Sequence, residues 1–134
     1  MYIANDRSEL ILSLIDKSVN IRTMVDLGCN DGATLSGLSF NKSLGAIDYH
    51  GIDYQITPLV VNNDEITFHV CDLNGDLLEI KDLLKASDLT LLLDVLEHLH
   101  KPEQFLEKLS QIIKPGAQLI ITVPNASSIR MLYA

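Results

Sequence analysis

Four short apolar runs in this chain each carry an aspartate at or near their end. "TMVDL" holds Asp26, "DYHGIDY" holds Asp53, "ITFHVCD" ends at Asp72 and "LTLLLD" ends at Asp94. The last run is almost wholly apolar, as in a strand covered on both faces. A fifth run, "QLIITV", is closed by Pro124. Segments of helical period precede and separate these runs. Residues 6–18 put Leu10, Ile11, Leu14 and Ile15 on one face, with Asn5 or Asp6 as the N-cap. Helices are also expected over Thr34–Phe40, over "LLEIKDLLKA" (77–86) and over "PEQFLEKLSQII" (102–113). In the last of these Pro102 suits a first turn, and Pro115 with Gly116 stops the helix. "TPLVVNN" (57–63) suits a short helical turn near Pro58.

Strands alternating with helices imply βαβ units, an α/β class and a mostly parallel sheet. Right-handed crossovers then place helices on both faces. Ligands of such sheets bind at the carboxyl ends of the strands. A lone Asp at a strand end is commonly a helix cap. Four of them along one sheet edge, beside a glycine turn, point instead to a site. That turn is "VDLGCNDGAT" (25–34), and it offers Asp26 and Asp31 where a phosphate loop would offer lysine. Its ligand should therefore carry positive charge or hydroxyls.

At 134 residues and 47% hydrophobic content the chain has material for one packed domain, residues 1–134. The formal charge is −8 and no Lys/Arg cluster offsets it, which argues against a nucleic-acid partner. No apolar run approaches the roughly 20 residues of a membrane helix. "MYIANDRSEL" lacks the pattern of a signal peptide. Cys29 and Cys71 are too few for a disulfide framework, so both are expected reduced and the protein cytoplasmic.

"VDLGCNDGATL", "GIDY", "CDLNG" and "DVLEHLHKPEQFLEKLSQIIKPGAQLIITVPN" together resemble the successive motifs of class I S-adenosylmethionine-dependent methyltransferases. Within that family they are most similar to the branch of ubiquinone-biosynthesis O-methyltransferases and small-RNA 2′-O-methyltransferases. The resemblance covers about residues 22–125. It implies a Rossmann-like methyltransferase fold with strand order 3-2-1-4-5, S-adenosylmethionine as cofactor, and methyl transfer to an oxygen or nitrogen of a small molecule or other acceptor. Gly28 and Gly32 would let the backbone approach the cofactor closely. Asn30 stands where the family commonly has glycine, and Asn is the non-glycine residue best suited to positive φ. By the same resemblance Asp26 faces the cofactor's amino group, Asp53 accepts from the ribose hydroxyls and Tyr54 lies against ribose or adenine. Asp72 would accept from the adenine amino group, the Leu73 N–H would donate to the ring, and Asp94 would complete the pocket.

"DVLEH" adds a metal reading. If a helix begins at Asp94, then Asp94, Glu97 and His98 share a face and can ligate a divalent cation such as magnesium. The small-RNA enzymes use a Glu-x-x-Glu-His version of this pattern. The alternative is a local network of Glu97 and His98. The family pattern continues with a C-terminal β-hairpin, which is expected to be missing here along with the general base and acceptor pocket. "LIITV" would then be an uncovered edge, prone to pair in a homodimer unless "SSIRMLYA" folds back over it. Two other functions remain open: a non-catalytic S-adenosylmethionine-binding or interaction module, and a nicotinamide-dependent oxidoreductase. The second would want glycine at position 30.

Overall fold

The computed structural model describes residues 7–56 and 63–124, and the backbone of 129–133. Helix α1 (Ser8–Leu14) leads into β1 (Thr23–Leu27), α2 (Ala33–Ser39), β2 (Asp48–Asp53) and β3 (Ile66–Val70). Then follow α3 (Lys81–Ala86), β4 (Leu89–Leu93), α4 (Pro102–Ile112), β5 (Gln118–Thr122) and β6 (Ile129–Tyr133). The sheet order is β3-β2-β1-β4-β5-β6. The first five strands are parallel in the anticipated 3-2-1-4-5 order, and β6 pairs antiparallel with β5.

Alternation along the central strands divides the core into two layers. Met24, Leu91 and Ile120 point to one face, where they pack with Ile11 of α1 and Leu35 and Leu38 of α2. Val25, Leu92, Leu119 and Ile121 point to the other, against Leu84 of α3 and Phe105 and Leu109 of α4. Because both faces are covered, β4 is apolar apart from Thr90, whose buried hydroxyl pairs with that of Ser87 at 2.9 Å. Among the described residues no helix is long and apolar enough to cross a membrane.

Several elements differ from the sequence expectation. The proposed caps Asn5 and Asp6, and the turn expected over 57–63 apart from Asn63, lie outside the described residues. Helix α1 ends at Leu14 rather than continuing to residue 18. There Asp16 accepts from the Ser18 N–H at 2.9 Å, a local turn that competes with helix. The Asp16 backbone is also clamped by the Gln118 side chain, which accepts from the Asp16 N–H at 2.8 Å and donates to its carbonyl at 3.2 Å. Gln118 is thus fully buried, with its amide satisfied by the backbone just after α1. Leu77 has φ +65°, so residues 78–80 form a 3-10 turn before α3 starts.

Of the two expectations for the edge of the fifth strand, the structure shows the fold-back of the C-terminal segment and not an open edge. Residues 129–133 run along β5, pairing Ile121 with Arg130 and Leu119 with Leu132. The backbone groups that a homodimer was to use are therefore taken within the chain, and Ile121 is core. A chain cut after Pro124 should lose this cover and self-associate through its apolar fifth strand. The intact chain at about 100 µM, a range where exposed edges aggregate, should stay monomeric by light scattering. Equal scattering from both would contradict the protective role of β6.

Candidate functional site

The first βα turn is built around one carbonyl. The oxygen of Ile52, on β2, accepts from the N–H of Gly28 at 2.7 Å and of Cys29 at 2.9 Å. Gly28 has φ +77°, and a Cβ there would lie 2.6 Å from Val95 Cγ2, so only glycine fits. Asn30 takes φ +54°, as its side chain permits. Gly32 takes φ +83° and starts α2, with the Phe68 ring where a Cβ would be. Asp31, one residue before the Gly32 N-cap, accepts from the Ala33 N–H, the first of α2, at 3.0 Å.

Asp53 splints the turn from the neighbouring strand. Its Oδ2 accepts from the Asn30 N–H and its Oδ1 from the Tyr54 N–H, both at 2.8 Å. Each oxygen keeps a lone pair for a further donor. Asp72 closes an Asx turn with the Asn74 N–H at 2.9 Å, and Asn74 Oδ1 in turn accepts from the His100 N–H at 2.9 Å. The carboxyl ends of β1, β2 and β4, with the loop after β3, therefore converge on one cavity of about 720 Å³. Asp26, Gly28, Asn30, Asp53, Tyr54, Asp72, Leu73 and Asp94 all line it. Gly32 does not; it shapes the turn from behind. Tyr54 is 72% exposed, leaving its ring free to cover a ligand.

Among the described residues five aspartates line the cavity: Asp26, Asp31, Asp53, Asp72 and Asp94. Opposing them are Arg7 and His98. Asp94 has a cation of its own. Arg7 forms an ion pair with its Oδ2 and donates to Thr122 Oγ1 at 3.0 Å, while Thr122 Oγ1 donates to Asp94 Oδ1 at 3.1 Å. The Arg7 hydrogen bond holds the Asp94 carboxyl below its usual range. Asp26 has no such help. It is 3% exposed, and its Oδ1 is the one buried side-chain oxygen or nitrogen without a hydrogen-bond partner among the described residues. Burial, then the Asp53 charge, pushes its carboxyl up to about 8, with Arg7 only partly opposing. Burial and Asp26 also push the Cys29 thiol well up, which leaves it inert as a nucleophile.

The face proposed for a metal is not formed. Asp94 sits at φ +54°, outside the helical region, and the chain continues as a 3-10 turn over Leu96–His98. Glu97 and His98 meet each other at 3.5 Å while Asp94 is engaged by Arg7. No group of three His, Cys, Asp or Glu among the described residues is placed to hold a metal ion. The sequence reading missed Arg7 and Asn74. Neither bears a local signal, because their partners lie 87 and 26 residues away.

Asp26 makes the pH dependence of stability testable. Its folded value is raised, so between about pH 4 and 8 the native state keeps a proton that the unfolded chain has lost. Its contribution to stability is full at acid pH and is lost as pH rises through that window. Asp26→Asn removes the titration. Urea unfolding should show the variant gaining on the parent from pH 5 to 8, at up to about tenfold in the unfolding constant per pH unit. Parallel profiles would contradict the burial argument.

A family model described as a methyltransferase domain matches residues 4–134. No curated protein sequence matches. Solved structures show the same fold. The chain is 24% identical to human N-acetylserotonin methyltransferase in complex with S-adenosylmethionine, at a TM-score of 0.61, over 85% of this chain and 32% of that one. It is 22% identical, at 0.63, to a structure from Haloferax volcanii of a methyltransferase activator with its candidate methyltransferase, over 86% and 50%. A candidate S-adenosylmethionine-dependent methyltransferase of Methanococcus maripaludis gives 16% and 0.67, over 87% and 53%. The chain thus spans between a third and about half of the length of these proteins. With motif order, strand order and family match in agreement, the chain belongs to the methyltransferase-domain family, on the class I S-adenosylmethionine-dependent fold.

Proposed function

We propose that the cavity binds S-adenosylmethionine and that the chain is the cofactor-binding part of an enzyme that methylates an oxygen or nitrogen of a small molecule. The observation that carries this reading is the unpartnered Asp26 oxygen in a cavity lined by aspartates. Such a site lacks exactly one kind of ligand group, a cation, and the proposed cofactor bears two, an ammonium and a sulfonium. Asp53 keeps lone pairs for ribose hydroxyls. The Asp72 carboxylate and the Leu73 backbone suit the adenine edge. Tyr54 can lie over either ring. The glycine at position 28 gives the backbone access that a Cβ would deny.

When bound, this cofactor supplies an electrophilic methyl group on sulfur. The chain's own contribution is binding and orientation: the rigid turn, splinted by Asp53, fixes where the ligand sits. Arg7 and Thr122 hold Asp94 in place at the mouth beside β4. The surplus of acid over base, −8 overall, favours a small-molecule acceptor over a nucleic acid. Two free, buried cysteines support a reducing, cytoplasmic setting.

Titration calorimetry with S-adenosylhomocysteine tests the reading, with NAD as the control for the oxidoreductase alternative. Asp53→Ala should weaken S-adenosylhomocysteine by about 1.5–3 kcal/mol, the range for a hydrogen bond to a charged group. Unchanged affinity would remove Asp53 from the ribose site, and binding of NAD alone would overturn the function. Methyl transfer to a panel of phenols and amines then distinguishes an enzyme from a binding module.

A further inference from the structure

Asp26 sets a further property of this pocket, and the inference rests on the cofactor reading just given. The carboxyl lies on β1, opposite Gly51 of β2 and Leu91 of β4, so neither neighbouring strand offers it a polar side chain in register. The ionisable groups around it are Asp53 at the end of β2, Asp31 and Cys29 on the turn, Asp94 after β4, and Arg7 before α1. Three of these are carboxylates. Among the described residues around it the one permanent cation, Arg7, already serves Asp94 and Thr122. A bare carboxylate at position 26 would be desolvated among like charges, with one oxygen unbonded.

We infer that Asp26 is a proton-linked selectivity element: it is a carboxylic acid in the open pocket and becomes a carboxylate when a ligand's α-ammonium docks against it. The O–H bond of the acid breaks, its proton passes to water, and the ammonium donates an N–H to the carboxylate left behind. The pocket thereby favours adenosyl ligands that carry an aminoacyl end over thioethers that lack one, and favours them more as pH rises through neutrality. Burial and Asp53, which push the carboxyl up to about 8, agree with this geometry. The ligand's own amino group loses its proton near about 7.7–8.0, so the gain levels off there.

The test is calorimetry of the full chain with S-adenosylhomocysteine and with 5′-methylthioadenosine, which lacks the aminoacyl end. Each is titrated at about pH 6 and 7.5, in buffers of different ionisation enthalpy. S-adenosylhomocysteine should bind about tenfold to thirtyfold more tightly at the higher pH, since one linked proton gives about tenfold per pH unit. It should release close to one proton at the lower pH. Methylthioadenosine should shift less than about twofold and release none, because it leaves the acid protonated. Asp26→Asn should flatten the S-adenosylhomocysteine profile and still bind methylthioadenosine. If that variant does not fold, as judged by circular dichroism, the comparison of the two ligands on the unaltered chain decides alone. Binding of both ligands without pH dependence or proton release overturns the inference and leaves the cofactor reading standing. Binding of neither overturns both.

Discussion

The Ile52 carbonyl is the point on which the site depends. By accepting from both Gly28 and Cys29 it ties the turn after β1 to the end of β2. The adjacent Asp53 carboxylate repeats the tie one residue further on, through Asn30. Together they convert a glycine-rich loop into a rigid shelf. Its depth is set by Val95, whose methyl group occupies the space that any side chain at position 28 would need. The close approach is possible because β1 and β2 are neighbours in a parallel sheet. It follows that the cavity at the carboxyl edge is a consequence of strand order and not of loop sequence alone.

Much of this was legible in the residues. A strand buried on both faces is apolar at nearly every position, and the buried Thr90 of "LTLLL" is satisfied by the Ser87 hydroxyl; that is why "LTLLL" and "TMV" could be assigned and why their side chains alternate between two cores. The aspartates stood out because acids rarely end apolar runs without a task. Asn30 could be placed in the left-handed region because few other side chains tolerate it. What stayed hidden was of longer range. Spacing alone suggested a helical face for Asp94, Glu97 and His98, but the backbone turns left-handed at Asp94 to leave the strand. The sequence left two covers for the edge of β5, a second copy or the chain's own C-terminal segment, because antiparallel pairing by residues 129–133 has no local periodic signature. The Gln118 amide satisfies the backbone just after α1, a pairing across 102 residues that no local pattern announces.

Asp26 and Asp94 show how one residue type acquires two chemistries in one cavity. Both sit near the carboxyl ends of central, adjacent parallel strands. Asp94 is partly exposed, meets a guanidinium and a hydroxyl, and is held in its charged form. Asp26 is buried, meets another acid's field, and is pushed toward its neutral form. Environments that drive two carboxyls apart in this way are the general means by which a site assigns separate roles to chemically identical groups. Here the separation runs across the cavity, so the inner wall can take up a ligand's cation while the mouth stays pinned by Arg7. Arg7 belongs to the segment that leads into α1, so the position of α1 and the ionisation of Asp94 are linked through a single side chain. Withdrawing that guanidinium would raise the Asp94 carboxyl and, by removing the charge that partly opposes burial, raise Asp26 as well. The first helix is therefore part of the electrostatics of the site, although none of its own side chains between Ser8 and Leu14 lines the cavity.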